Sequence, residues 1–273
     1  MKWIKCACLA WSIAFVHFSA TAAEIEIGHA YDNLNNQLPG WRSTYIEATQ
    51  KIAERKVVYG IARETERFSF NDREFLAGMY YPLGQRWTVL LEGNASPTHR
   101  VLPQWSMLGQ VQYAFGQGWG IHLGWRYTNY KTSCDLSDDS RALCKNLELP
   151  ATGYIASGIN REILVLERYW QNYRAAYTFS ASQVEGGGAP IVHALQLGYY
   201  YGDRNHINMV YATGQEVQNV GKGVLRTSDV QTLALIGRYW VTPAWALTHE
   251  ISLHEQGDIY TRKGIRLGVR HLF

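Results

Sequence analysis

Serine and histidine residues stand close together at two places in the sequence, where they could support hydrolytic chemistry. Ser96 and His99 share one short segment, and His254 is followed by Glu255 and Asp258. A hydroxyl nucleophile needs a base within hydrogen-bond reach and a third group that orients that base. Neither place matches a known nucleophile signature such as G-x-S-x-G. A hydrolase that modifies surface lipid or lipopolysaccharide is therefore an alternative function, and the sequence favours a protein that is not an enzyme.

Two cysteines, Cys134 and Cys144, enclose the polar stretch SCDLSDDSRALCK, where they could form a disulfide or bind a metal. Two thiols with no histidine nearby are a poor ligand set for zinc, so we expect no metal and no other cofactor. A disulfide between the two is the expectation in an oxidising compartment.

The first 23 residues have the pattern of an export signal. Lys2 and Lys5 precede a mostly apolar run, and small residues at 20–23 fit a cleavage site. We expect residues 1–23 to be removed. Residues 24–273 contain no linker or composition shift, so we expect them to form one domain.

The composition excludes several classes of protein. With Lys2 and Lys5 removed, the 26 Lys+Arg become 24 against 23 Asp+Glu, which leaves no basic field for nucleic acid. An aromatic content of 13% excludes a disordered chain. A mean hydropathy of -0.24 excludes a bundle of transmembrane helices.

Polar and apolar residues alternate with period two along the chain, which is the pattern of β-strands. At the C-terminus Ile265, Leu267 and Val269 share one face, and Arg266 and Arg270 share the other. The polar faces are rich in Gly, Ser, Thr and charge, which is typical of a barrel lumen rather than of a soluble sandwich. Aromatic belts are expected at both membrane interfaces. Seven of the eight tryptophans after residue 23 flank predicted connections: Trp41, Trp87, Trp105, Trp119, Trp170, Trp240 and Trp245.

The connections are of two kinds. Short turns, which we expect in the periplasm, are predicted at 53–56, 82–86, 115–119, 170–173, 202–206 and 241–245. Polar, mostly longer loops, which we expect outside the cell, are predicted at 33–42, 69–72, 95–104, 131–158, 185–190, 217–229 and 256–260. The sequence thus predicts an all-β fold: a single antiparallel up-and-down transmembrane β-barrel of the outer-membrane type with about 14 strands. The first strand (24–34) and the short 69–72 loop are the least clearly marked, and dropping one up-down pair gives 12 strands as the alternative.

The chain ends in Phe273, preceded by Arg266, Gly268 and His271. This ending approximates the C-terminal signal by which the barrel-assembly machinery recognises outer-membrane proteins, although His271 replaces the usual aromatic or aliphatic residue. We therefore expect the machinery and periplasmic chaperones as partners during assembly.

Several stretches together resemble the YaiO-type outer-membrane β-barrel proteins. They include YDNLNNQLPGWRSTYIEA (31–48), YGIARETERF (59–68), SPTHRVLPQW (96–105), LERYWQNYRAAYT (166–178), GRYWVTPAWALTHE (237–250) and HEQGDIYTRKGIRLGVRHLF (254–273). The resemblance covers most of residues 24–273. It implies the fold and a location in the outer membrane of a Gram-negative cell, and it brings no catalytic residues with it.

Two sets of charged residues are the candidate functional groups. Inward charges predicted to line the lumen are Glu47, Glu92, Arg126, Arg174, Arg238, Glu250, Arg266 and Arg270. Residues predicted at the extracellular mouth are Arg63, Glu64, Glu66, Arg67, His99, Arg100, Glu216, Asp229, His254, Glu255, Asp258 and Arg262. The working hypothesis is passive passage or binding of a small polar or glycan-like solute. A structural or partner-binding barrel in contact with lipid and lipopolysaccharide is the third possibility.

Overall fold

The computed structural model describes residues 23–130, 158–184, 188–219 and 225–273. These residues form fourteen antiparallel strands in one closed barrel, in which each strand pairs with its neighbours in sequence and β1 pairs with β14. The strands are β1 (Ala23–Leu34), β2 (Trp41–Ala53), β3 (Lys56–Arg67), β4 (Phe70–Leu83), β5 (Trp87–Ala95), β6 (Trp105–Gly116), β7 (Trp119–Asn129), β8 (Gly158–Trp170), β9 (Tyr173–Val184), β10 (Ile191–Tyr201), β11 (Asn205–Asn219), β12 (Leu225–Trp240), β13 (Trp245–Gln256) and β14 (Tyr260–Leu272). The prediction of fourteen strands is confirmed, and the alternative of twelve is wrong.

The barrel has two distinct ends. The turn rim carries the first residue of β1, Ala23, and the last residue of β14, Leu272. The six predicted short turns also lie at this rim, between consecutive strands. The opposite end, the loop rim, carries the longer connections. One predicted boundary is wrong: the 217–229 segment is mostly strand, because β11 continues to Asn219 and β12 begins at Leu225.

The outward face is an apolar belt. Leu123, Ile251 and Leu267 expose 61%, 57% and 58% of their surface, and each alternates with an inward polar residue. In water such exposure over a whole barrel would be unfavourable, whereas in a bilayer it matches the hydrocarbon core. None of the described residues forms a helix of the length and apolarity that crossing a membrane requires.

Aromatic side chains gather at the turn rim. Trp87 packs against Tyr113 with ring centroids 4.4 Å apart, and Trp170 stacks on Tyr173 at 5.9 Å. Two tryptophans do not fit the predicted belts. Trp41 lies inside the mouth with 2% of its surface exposed, and Trp240 takes an inward position under the guanidinium of Arg204, 3.8 Å away.

The barrel closes between β1 and β14 in a continuous register from Glu24↔Leu272 to Leu34↔Arg262. The backbone N–H of Phe273 adds a hydrogen bond of 2.9 Å to the carbonyl of Ala23. Closure leaves no free sheet edge, which is the condition for a sheet to span a bilayer.

Two small apolar clusters lie at the loop rim. Leu34, Trp41 and Tyr260 form one, with Phe68 packed against it. Ile159, Val184, Val217 and Leu225 form the other, with Tyr130 packed against it. These clusters give the mouth an ordered apolar framework around its polar groups.

Candidate functional site

All eight predicted lumen charges take inward positions. Seven of them have a polar partner in the described part of the chain, and the eighth, Arg238, has none. Their registers are shown by the strand pairs Glu26↔Glu47, Leu108↔Arg126, Glu92↔Gly78, Tyr169↔Arg174, Arg238↔Thr248, Glu250↔Arg266 and Ala246↔Arg270.

Arg270 is the centre of the largest charge cluster. Its guanidinium donates to Glu24 at 2.6 Å, to Glu26 at 2.6 Å and to Glu47 at 2.8 Å. Tyr45 donates its hydroxyl to Glu26 at 2.6 Å. The cluster joins β14 to β1 and β2, so it braces the strand pair that closes the barrel.

Two further clusters line the other side of the lumen. Arg126 donates to Glu92 at 2.7 Å, and Tyr59 donates to the second oxygen of Glu92 at 2.8 Å. Arg174 donates to Glu167 at 2.8 Å, and the Nε2 atom of His122 lies 3.0 Å from Glu167. Paired charges of this kind order the inner wall and leave little net field.

Arg238 differs from the other lumen charges. It has no hydrogen bond or ion pair with any described residue, and its Nε atom is buried without a partner. It lines a cavity of about 200 Å³, which we call the lumen cavity. Seven neighbouring strands contribute inward side chains to this cavity: Glu26, Tyr45, Glu47, Arg63, His206, Arg238, Thr248, Arg266 and Arg270.

The twelve residues predicted at the mouth fall into three groups, according to whether their positions face inward, face outward or lie in a connection. Inward positions at or below the loop rim are held by Arg63, Arg67, Glu216, His254 and Arg262. Outward positions on β3, β12 and β13 are held by Glu64, Glu66, Asp229 and Glu255. Connections carry His99, Arg100 and Asp258. The prediction of one common mouth is therefore corrected for the outward four, because side chains alternate across the barrel wall.

Two of the outward and exposed members, Glu64 and Asp258, pair with arginines outside the predicted set rather than with a shared centre. Glu64 lies 3.7 Å from Arg73 on the outer surface. Asp258 accepts two hydrogen bonds from Arg226, at 3.0 and 3.1 Å. These exposed pairs order the rim and contribute little to stability.

The connection between β5 and β6 folds over the mouth. Asp72, which is 1% exposed, accepts hydrogen bonds from the backbone N–H groups of Arg100, Val101 and Leu102 at 2.8, 2.7 and 2.9 Å. From the opposite wall, Asn219 donates its side-chain amide to the carbonyl of Val101 at 2.9 Å. The loop thus bridges the mouth from β4 to β11.

A second cavity, of about 250 Å³, lies beneath this bridge, and we call it the mouth cavity. It is lined by residues from the loop-rim ends of several strands and from the β5–β6 connection: Trp41, Arg67, Val101, Leu102, Pro103, Tyr130, Glu216, Val217, Gln218, Asn219, His254, Gln256, Tyr260 and Arg262.

Neither predicted hydrolase pair has a catalytic arrangement. The Oγ atom of Ser96 accepts the backbone N–H of His99 at 3.0 Å, and the His99 ring lies 3.0 Å from the carbonyl of Ser96 instead of its hydroxyl. His254 is hydrogen-bonded to Thr232 at 2.8 Å and to Gln256 at 2.7 Å. The pairing of His254 with Glu255 or Asp258 that the alternative hydrolase would need is not formed, because Glu255 points outward and Asp258 binds Arg226.

The sequence interpretation missed several inward acidic residues, of which Glu26, Asp72, Glu74 and Glu167 have the most polar contacts. Period-two alternation could have identified them, because each lies an even number of residues from another inward residue of its own strand. Strand pairing gives a second signal: Glu74 on β4 lies directly opposite the inward Arg63 on β3, and the two form an ion pair of 3.4 Å.

Two predictions concern residues that the structure does not describe. The disulfide between Cys134 and Cys144 lies outside the described residues, as does all of the export signal except Ala23. Both stay predictions. Among the described residues, no group of three or more His, Cys, Asp or Glu side chains is placed to hold a metal ion.

A closed antiparallel barrel with an apolar belt outside and paired charges inside is a membrane β-barrel of the outer-membrane type. Residues 22–137 match the model of the YaiO membrane beta barrel domain, which confirms the resemblance to the YaiO family. The match reaches from β1 through β7.

Solved structures share the barrel at very low sequence identity. A CymD monoaromatic hydrocarbon channel is 8% identical, with a TM-score of 0.56 over 92% of this chain and 88% of that chain. The outer-membrane-expressed OmpT of Vibrio cholerae is 9% identical, with a TM-score of 0.47 over 93% and 99%. At these identities the likeness concerns the fold alone. No curated protein matches this chain.

Proposed function

We propose that this chain is an outer-membrane barrel that binds small polar solutes at its mouth and lets them pass through its lumen. The lumen cavity carries the proposal, since charged and hydrogen-bonding side chains from seven strands surround it. An unpaired charge in an apolar interior would be costly, and Arg238 has no partner among the described residues, so this side chain requires water or a polar solute beside it. The loop rim faces the outside of the cell, because termini and short turns are typical of the periplasmic side.

Three expectations complete the proposal. Residues 1–23 direct export and are removed, the barrel-assembly machinery inserts residues 24–273, and lipopolysaccharide surrounds the outer half of the belt. In a Gram-negative host, membrane fractionation should recover the mature chain with lipopolysaccharide. Recovery as a soluble periplasmic protein would contradict this location.

Swelling of liposomes that contain the purified, folded protein tests passage. We expect uptake of arabinose and glucose to exceed that of protein-free liposomes, and uptake of larger oligosaccharides to be slower, because the β5–β6 connection narrows the mouth. Equal swelling with and without the protein for every sugar would contradict passage and would leave a structural barrel as the better interpretation.

A further inference from the structure

Two guanidinium groups lie against the same indole ring in the mouth cavity. Arg67 is 4.9 Å and Arg262 is 5.2 Å from the centroid of the Trp41 ring. Phe68 and Tyr260 pack edge-on against this ring, at 5.0 and 5.3 Å. The ring is therefore fixed, and it holds two like charges near each other at the wall of a cavity.

These two charges are incompletely neutralised by the described residues. Arg67 has no ion pair or hydrogen bond among them. Arg262 approaches one carboxylate, that of Asp32, at 3.6 Å. Glu216 also lines the cavity, but its carboxylate lies 3.4 Å from Arg161. A positive charge consequently remains at this wall.

Three buried polar atoms of cavity-lining residues also have no partner. They are the donors Trp41 Nε1 and Arg262 Nε, and the acceptor Gln218 Oε1. The amide nitrogen of Gln218 is already used, since it donates to the hydroxyl of Tyr260. Buried polar groups are rarely left unpaired in a folded protein, so such a cluster at one cavity indicates groups that a ligand satisfies.

We propose that the mouth cavity binds a hydroxylated anion, namely a sugar acid or a sugar phosphate. The oxyanion accepts hydrogen bonds from Arg67 and Arg262, whose planar guanidinium groups suit carboxylate and phosphate oxygens. A sugar hydroxyl donates to Gln218 Oε1. The proposal rests on the proposed function, because it names the class of solute that the mouth selects.

Isothermal titration of the refolded full chain in detergent tests the site with three matched probes: glucuronate, glucose 6-phosphate and glucose. We expect one or both anionic sugars to bind at least tenfold more tightly than glucose, and their ranking to distinguish carboxylate from phosphate. The substitutions R67Q and R262Q should each weaken anion binding about tenfold or more, since a hydrogen bond to a charged group is lost. R226Q, which removes a guanidinium bound to Asp258 outside the cavity, should leave binding unchanged.

Each outcome decides the proposal. Equal binding of all three sugars by the wild-type chain overturns it, as does unchanged anion binding by both R67Q and R262Q. Inorganic phosphate should also compete with the anionic sugar for the wild-type chain. This test does not depend on whether the variants fold. If the liposomes swell but titration shows no preference for the anionic sugars, this inference alone is contradicted. If the anionic sugars bind but the liposomes do not swell, the proposed passage alone is contradicted.

Discussion

At the scale of single residues, Asp72 determines the position of the β5–β6 connection. Its carboxylate is buried, and it accepts three backbone N–H groups within 2.9 Å. Hydrogen bonds to an ionised acceptor are stronger than neutral ones, so one side chain fixes a loop of nine residues, 96–104, over the mouth.

We predict that D72A releases this loop. Each lost charge-assisted hydrogen bond removes about 1.5–3 kcal/mol from the closed position. The three together outweigh the remaining hydrogen bonds of the loop to its surroundings, from Arg73 to Thr98 and from Asn219 to Val101. Trypsin should then cleave the folded protein after the exposed Arg100 at least tenfold faster, as measured by mass spectrometry of the fragments. D258A, which removes an exposed carboxylate at the same rim, is the control. Equal cleavage rates in D72A and wild type would contradict the role of Asp72.

The inward direction of the eight lumen charges follows from period-two alternation, which the sequence displays. The role of Asp72 does not, since its three donors lie 28 to 30 residues further along the chain. Likewise Trp41 flanks a predicted loop in the sequence, as interfacial tryptophans do. Only its register with Asp32 shows that it points into the mouth.

At the scale of elements, glycines on the inward face of β14 leave room for the charge cluster that joins β14 to β1 and β2. Gly264 and Gly268 alternate with Arg266 and Arg270 on its inward face. A side chain at position 268 would meet Thr248, Glu26 and Tyr45. Glycine therefore leaves the space that these groups need, and Arg270 can reach across β1 to Glu47 on β2.

We predict that R270Q weakens the closed barrel. Glu24, Glu26 and Glu47 would lose their shared cation, and removal of one partner from a buried pair typically costs about 3–5 kcal/mol. The temperature at which the folded band disappears on gels should fall, while R226Q, at an exposed pair, should leave it unchanged. Equal unfolding temperatures for R270Q and wild type would contradict the bracing role.

We predict that F273S lowers the amount of assembled barrel. Phe273 is outward and 70% exposed, and its ring packs edge-on against His271 at 4.3 Å, which in turn packs against Trp245 at 4.3 Å. The substitution removes both an interfacial anchor and the terminal aromatic group expected to be recognised during assembly. F115S, at another exposed aromatic residue near the turn rim, is the matched control. Outer-membrane levels of F273S equal to those of F115S would contradict a specific terminal signal.

Most strand boundaries could be predicted because turns and alternation are local. The β3–β4 connection is the hardest to predict from the sequence: Phe68 and Ser69 form a two-residue turn with φ of 51° and 64°. Such turns are usually marked by Asn-Gly or Asp-Gly, and this pair lacks that mark. The polar residues at the β11–β12 ends predict a loop. They pair nonetheless, from Gly214↔Val230 to Asn219↔Leu225.

At the scale of the whole molecule, the barrel combines a paired inner wall with a covered mouth. Ion pairs bind neighbouring and next-neighbouring strands, so most lumen charges are neutralised where they stand. Arg238 is the lumen charge without a partner among the described residues, and it should therefore act most strongly on a passing ion. The β5–β6 connection and the end of β11 meet above, which narrows the mouth.

Single-channel recording in planar lipid bilayers tests the solute-passing lumen most directly. We expect discrete conductance steps from the purified, folded wild-type chain, and a reversal potential in a salt gradient that shifts toward cations in R238Q. R226Q, a substitution in the same strand at a paired and exposed position, should retain the wild-type reversal potential. The absence of any conductance step from correctly folded wild-type protein would contradict the proposed passage.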